Sequence, residues 1–147
     1  MADTRTLRPG GILMGKLSHG EDLLGGIQDV CVREGLTLGR VEAIGAVQRA
    51  RLAYYHQLNR EYRFFTLNQP LELVSLRGNI SLRDGAPFLH AHVTLSDSQG
   101  GTFGGHLAEG TMVFACEFIV ESFEGGDLIR EHDSLTGLHL WKGGKGP

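Results

Sequence analysis

At 147 residues and 16.0 kDa, 41% hydrophobic and 21% charged, the chain has the size of one domain that can bury a core without disulfide staples. Its net charge of −3 and pI near 6.1 weigh against a nucleic-acid binder of the usual kind, because phosphate neutralisation draws on a basic surplus that is missing here. Two cysteines in apolar surroundings, Cys31 and Cys116, read as buried hydrophobes in a reduced cytoplasm rather than as a disulfide or a thiol site. The N-terminal residues lack the apolar run of a signal peptide, and no stretch approaches the roughly 18 apolar residues of a membrane span. The expectation is a cytoplasmic protein with no membrane partner. Its 22 glycines, about twice average usage, imply many tight turns and close backbone approaches.

In chain order, residues 1–9 read as a flexible polar tail and Gly11–Leu17 as a short apolar strand. Glu21–Glu34 is the main helix, since Leu23, Ile27, Val30 and Cys31 form one apolar stripe. Glu21 and Asp22 fall in its first turn, where negative charge suits the helix dipole. Gly25 and Gly26 weaken that half, and Gly35 is placed as the residue just past the helix end. Thr37–Val47 and Arg49–Gln57 then read as consecutive strands, with aromatic-rich Arg60–Leu67 a third. Leu71–Leu82 is a long strand with a break near Gly78, ending in an Asp84-Gly85 turn. Leu89–Ser96 and Thr102–Leu107 form a hairpin, and Met112–Phe123 is a nearly continuous apolar run containing Glu117. Leu128–His132 and a segment ending at Trp141 follow, then a flexible Gly/Lys tail over 142–147. One helix among many strands, without βαβ alternation, predicts an α+β fold: a single domain over 10–141 on a mainly antiparallel sheet.

The hairpin carries the chemistry. His90 and His92 are two residues apart on a strand, so their imidazoles share a face. With the loop at Ser98-Gln99-Gly100, an antiparallel register pairs His92 with His106 and Thr94 with Gly104. One face then carries His90, His92, Thr94, Ser96, Thr102, Gly104 and His106, and the other carries Leu89, Ala91, Val93, Leu95, Phe103 and Leu107. That clean separation of polar from apolar supports the register, because a slip of one residue would reverse the face of His106. Opposed residues have Cβ atoms about 5 Å apart, so three imidazoles can reach one ion. Such a set suits zinc or another divalent transition metal and leaves a fourth position open. The alternative is three solvated polar side chains on a sheet. Glu72, Glu117 and Asp97 are the carboxylates that could orient the imidazoles, and Glu72 and Glu117 are also candidate catalytic residues. Equally, Glu72 and Glu117 could be outward-facing residues at an edge or a subunit interface.

Gly100–Gly105 has the look of a phosphate loop, but more strand follows it, so no helix N-terminus awaits a phosphate. His19, His56, His132 and His139 have no partners at informative spacing and read as surface residues.

Several segments together resemble a known family. They are Leu17-Ser-His-Gly-Glu-Asp-Leu-Leu24, Ile44-Gly-Ala-Val47, Tyr54-Tyr55, Pro70–Asn79, Phe88-Leu-His-Ala-His-Val93, Gly104-Gly-His-Leu107 and Thr136-Gly-Leu138. They look like the plant and prokaryote conserved (PPC) domain, with the His-x-His and Gly-Gly-His pieces the specific part. The resemblance implies an α+β domain that assembles as a homotrimer, with His90, His92 and His106 around a metal, in the first instance zinc. It also implies a DNA-binding or regulatory role. In plant relatives an AT-hook with an Arg-Gly-Arg-Pro core makes the DNA contact, and this sequence has none. Its nearest basic stretch, Arg49, Arg51, Arg60 and Arg63, is interleaved with Tyr54, Tyr55, Tyr62 and Phe64, as suits a nucleic acid, a subunit interface or a solvated face. The competing expectation is a zinc-dependent hydrolase or lyase acting on a small molecule, since an open zinc position can lower the pKa of a bound water to about 7.

Overall fold

The computed structural model describes residues 2–142. Nine strands and one helix follow in the order β1 (Arg8–Leu17), α1 (Leu23–Arg33), β2 (Gly39–His56), β3 (Glu61–Leu67), β4 (Leu71–Arg83), β5 (Ala86–Ser96), β6 (Thr102–Leu107), β7 (Met112–Glu124), β8 (Arg130–His132) and β9 (His139–Trp141). The large sheet is antiparallel, in the order β1-β7-β2-β4-β5-β6, with β3 added to β2. A separate ribbon pairs β8 with β9. The α+β, mainly antiparallel architecture is the one the sequence predicts.

Strand β2 organises the sheet. Its first half pairs with β7 and β4, and its second half with β3 and β6. Because β6 also pairs with β5, the strands β2, β4, β5 and β6 close into a ring. Two expected strands are therefore one of 18 residues. Register shifts against β7 between Ala46 and Arg49 break the period of two there, and such bulges bend a strand without ending it. The apolar residues of β2, β4, β5 and β7 enclose a single core that includes Leu52, Leu73, Leu76, Ile80, Leu95, Leu107 and Val113.

The helix is shorter than expected. Asp22 is its N-cap, and its carboxylate accepts from the Gly25 amide at 2.8 Å and from the Gly110 amide at 2.6 Å. No acidic residue lies in the first turn, because Glu21 and Asp22 are spent before it. Past Arg33 the chain closes in a Schellman motif, with Leu36 N–H on Cys31 O and Gly35 N–H on Val32 O. Leu23, Ile27, Val30 and Cys31 are buried as the stripe predicts, and Gln28 bonds Leu89 N–H and Pro87 O of β5. Burial pushes both Cys31 and Cys116 up to about 11. Strand β1 begins at Arg8, inside the segment expected as a tail; except for Lys142, the tail expected over 142–147 lies outside the described residues. Among the described residues no helix is long and apolar enough to cross a membrane.

Gly78 does not break β4. It pairs with Ala91 and Val41, and a Cβ there would lie 2.6 Å from His90 O and 3.0 Å from both Ala91 Cβ and Val41 Cγ1. A side chain at this point would push apart the strand that carries His90. Gly78→Val is expected to destabilise the protein by about 1–3 kcal/mol or more through overpacking, read as a lower urea midpoint. An unchanged midpoint would show that the strands yield there.

Candidate metal centre

The Asp84-Gly85 turn, with φ of +52° and +79°, sends β5 back along β4. Asp97 closes the next hairpin, accepting from the Gln99 and Gly101 amides. Between these turns the register places His92 opposite His106 and Thr94 opposite Gly104. His106 also faces Ala53 across the ring closure. Leu89, Ala91, Val93, Leu95 and Leu107 are buried on the other face.

The three imidazoles meet. Ring centroids of His90, His92 and His106 lie 5.0–5.3 Å apart, and one nitrogen from each falls within 4.8 Å of the others. Around a tetrahedral zinc with Zn–N bonds of about 2.0–2.1 Å the three nitrogens would stand about 3.3 Å apart. His90 and His106 are half-buried and His92 is exposed. Nδ1 of His106 is buried without a hydrogen-bond partner. An orphaned buried nitrogen is a recognised sign of an ion or water not counted among protein atoms. Burial, reinforced by the neighbouring imidazoles and Arg130, lowers His90 and His106 from 6.5 to about 4. Both are therefore neutral, the protonation state a metal requires. The donor set fits a metal ion.

No carboxylate joins this cluster among the described residues. Glu72 is exposed opposite Ser96 on β5, and Glu117 is exposed opposite Lys16 and Ile44 on the far side of β2. Asp97 is committed to its turn. None of the three carboxylates orients an imidazole. In their place stand residues that the sequence did not single out. Tyr62 lies against His106 with ring centroids 4.9 Å apart. Arg130 of β8 brings Nη2 to 3.4 Å from His90 Nδ1 and to 2.7 Å from Asn79 Oδ1. His132 and His139, read as unpartnered, face each other across the β8–β9 ribbon with rings 5.7 Å apart. A cavity of about 150 Å³ lies between the histidine face and this ribbon.

Comparison with known proteins adds to this geometry. The Plants and Prokaryotes Conserved (PCC) domain profile matches residues 4–124. A metal-containing protein from Archaeoglobus fulgidus is 38% identical, with a TM-score of 0.91 over 96% of this chain and 99% of that one. A plant- and prokaryote-conserved (PPC) protein from Pyrococcus horikoshii is 35% identical, with a TM-score of 0.90 over 95% and 96%. A protein from Ralstonia eutropha named as a candidate for DNA binding is 24% identical, with a TM-score of 0.78 over 88% and 89%; at that identity it shares the fold alone. Among curated proteins, the bifunctional protein GlmU of Synechococcus sp. is 31% identical over 133 residues, 86% of this chain. The chain spans about a fifth of the length of the curated relatives it matches.

The depressed histidines make a stability prediction for the metal-free protein. Folded, they stay neutral down to about pH 4, whereas unfolded they protonate near 6.5. The unfolded chain binds more protons between those values, so stability is full above about 6.5 and falls as the pH drops to about 4. Melting temperatures should decline from pH 6.5 to 5, above most carboxylate titrations, and His106→Asn should flatten the decline. A flat wild-type profile in that window would contradict the assignment.

Proposed function

The chain belongs to the Plants and Prokaryotes Conserved domain family, and on that footing we propose that it is a self-assembling module that holds one divalent transition metal, zinc in the first instance, on His90, His92 and His106. The observation that carries this reading is the convergence of three imidazoles, with no carboxylate in the set, alongside an unpartnered buried nitrogen on His106. The metal-containing description of the Archaeoglobus relative supports it. When bound, the ion would supply Lewis-acid chemistry beside the cavity. In that setting His90, His92 and His106 hold it, Tyr62 shields the His106 ring, and the β8–β9 ribbon limits water access. A cytoplasmic setting accompanies this reading, supported by two buried unpaired thiols.

Homotrimer assembly is part of the proposal. Its support is the outer face of β1, β7 and β2, where Ile12, Met14, Ile44 and Ile119 are exposed. Met14 and Ile119 are directly opposed, and a hollow of about 610 Å³ runs between Met14, Ile44 and Ile119. An apolar band of this kind on a sheet face marks an interaction surface.

Two roles are open to such a module. A small-molecule enzyme, a hydrolase or lyase, is favoured by the cavity beside the trio. DNA binding would fall to the β2–β3 arm, with Tyr54 and Phe64 exposed. Three of the four arginines of the basic stretch are already engaged, Arg51 over Phe64 at 4.3 Å, Arg60 on Ser134 O at 3.0 Å and Arg63 near Glu61 at 3.5 Å, which leaves Arg49. The geometry favours the small molecule.

Metal analysis of purified protein should give about one zinc per chain, and His92→Ala should abolish it while the fold survives, because His92 is exposed on a polar face. Protein that stays metal-free after zinc addition would sink the site. Sedimentation should return three times the chain mass; a monomer would remove the assembly. Any duplex binding should weaken steeply with salt, and none at low salt would end the DNA reading.

A further inference from the structure

Arg130 is the only charged residue buried among the described residues, at 8% exposure. Its guanidinium donates from Nε to Ser81 Oγ at 2.9 Å, from Nη1 to His139 O at 2.9 Å and from Nη2 to Asn79 Oδ1 at 2.7 Å. Nη2 also lies 3.4 Å from His90 Nδ1, while Phe88 and Trp141 flank the group at 5.7 and 5.5 Å. Every one of these partners is neutral. No carboxylate pairs with Arg130 among the described residues. The other cation on the cavity wall, Arg83, has its own partner in Asp84 at 3.6 Å. A buried cation without a counter-charge is costly. Of the five guanidinium protons, these contacts leave one on Nη1 uncommitted.

The same group walls the cavity beside the histidines, together with Tyr62, Phe88, His90, His106 and Leu138. Its volume of about 150 Å³ equals about five waters at roughly 30 Å³ each, which admits an organic acid of a few heavy atoms. Its aromatic and aliphatic walls suit an organic body better than a fully hydrated inorganic ion. The family profile ends at residue 124, so Arg130 and its ribbon lie in the segment beyond the profile.

We propose that Arg130 is a ligand-binding residue: a small organic carboxylate occupies the cavity with its charge on the Arg130 guanidinium and an oxygen toward the metal held by His90, His92 and His106. This rests on the metal reading of the trio. Three neutral imidazoles leave the ion's double charge uncancelled, and Arg130 adds another, so the site lacks only the anion. The uncommitted Nη1 proton can donate one charge-assisted hydrogen bond to a carboxylate oxygen. Because Arg130 reaches within 3.4 Å of His90, a carboxylate held by Arg130 would lie beside the histidine cluster.

Trp141 is the only tryptophan of the chain and packs against Arg130, so its fluorescence reports on the site. In zinc-loaded protein, sodium acetate should change that fluorescence saturably, and acetamide, its neutral counterpart, should not. Arg130→Gln should weaken acetate by about tenfold or more, the scale of a lost charge-assisted contact, with zinc content retained and the melting temperature lowered by the lost ribbon contacts. Arg130→Lys, which keeps the charge but cannot hold Ser81, Asn79 and His139 together, should fall between. Acetate binding equal in Arg130→Gln and wild type, an equal response to acetamide, or tighter binding of inorganic phosphate would overturn the proposal. If Arg130→Gln does not fold, the acetate–acetamide contrast in wild type decides alone, and no acetate binding overturns it. Arg130-dependent acetate binding in protein that takes up no zinc would uphold the anion site and overturn the metal reading.

Discussion

The register between β5 and β6 is the constraint on which the rest depends. Placing His92 opposite His106 fixes which side chains of two strands face the core and which face the site. Leu89, Ala91, Val93, Leu95 and Leu107 are buried because the histidines are not, and the reverse holds equally. A slip of β6 by one residue would turn His106 toward the core and Leu107 toward water. The register is pinned at one end by the Asp97 turn and along β6 by the second-half pairing of β2, where Ala53 meets His106. The site is held by sheet closure rather than by loops. Backbone bonds on both flanks of β6 limit how far the imidazoles can drift, which is the kind of rigidity a metal geometry needs.

Charge sets the character of that site. A histidine ligand is ordinarily steadied by a carboxylate on its second nitrogen. Here the carboxylates lie elsewhere, and the neighbour of His90 is a guanidinium. Donor faces donor unless the imidazole nitrogen is deprotonated, so Arg130 itself favours the neutral ring. The same arrangement leaves the cavity with positive charge and no internal anion. A metal bound there would deepen the imbalance. Such a centre selects anions by field as well as by contact, whereas a carboxylate-lined pocket would repel them.

Much of this was legible in the sequence, and the parts that were not share one physical reason. Local alternation gave the β5–β6 hairpin, its register and the buried face of α1, because each depends on residues a few positions apart. The span of β2 was missed because bulges at Ala46–Arg49 erase the period that reveals a strand. The break expected at Gly78 was an inference from residue type alone; the structure shows a glycine demanded by close approach to Val41 and Ala91. Spacing and register brought the histidine trio together, and the PPC resemblance carried the family and pointed to the same three residues, yet the neighbours of the trio stayed hidden. Arg130 lies 40 positions from His90, in a three-residue strand too short to show any pattern.

The β8–β9 ribbon turns a surface cluster into a site. Without it, the three imidazoles would lie on an open sheet face in contact with bulk water. The ribbon is attached at several separated points: Leu82 N–H to Leu128 O, Arg130 to Ser81 and Asn79, and Tyr55 OH to Thr136 O at 2.7 Å. Most of these join it to β4 or β2, strands that also belong to the ring carrying the histidines. Position and enclosure therefore have a common foundation. Because Arg130 is both a fastener of the ribbon and the cation of the cavity, the element that excludes water also delivers the charge. A ligand that neutralises Arg130 would at the same time reinforce the contact that closes the site.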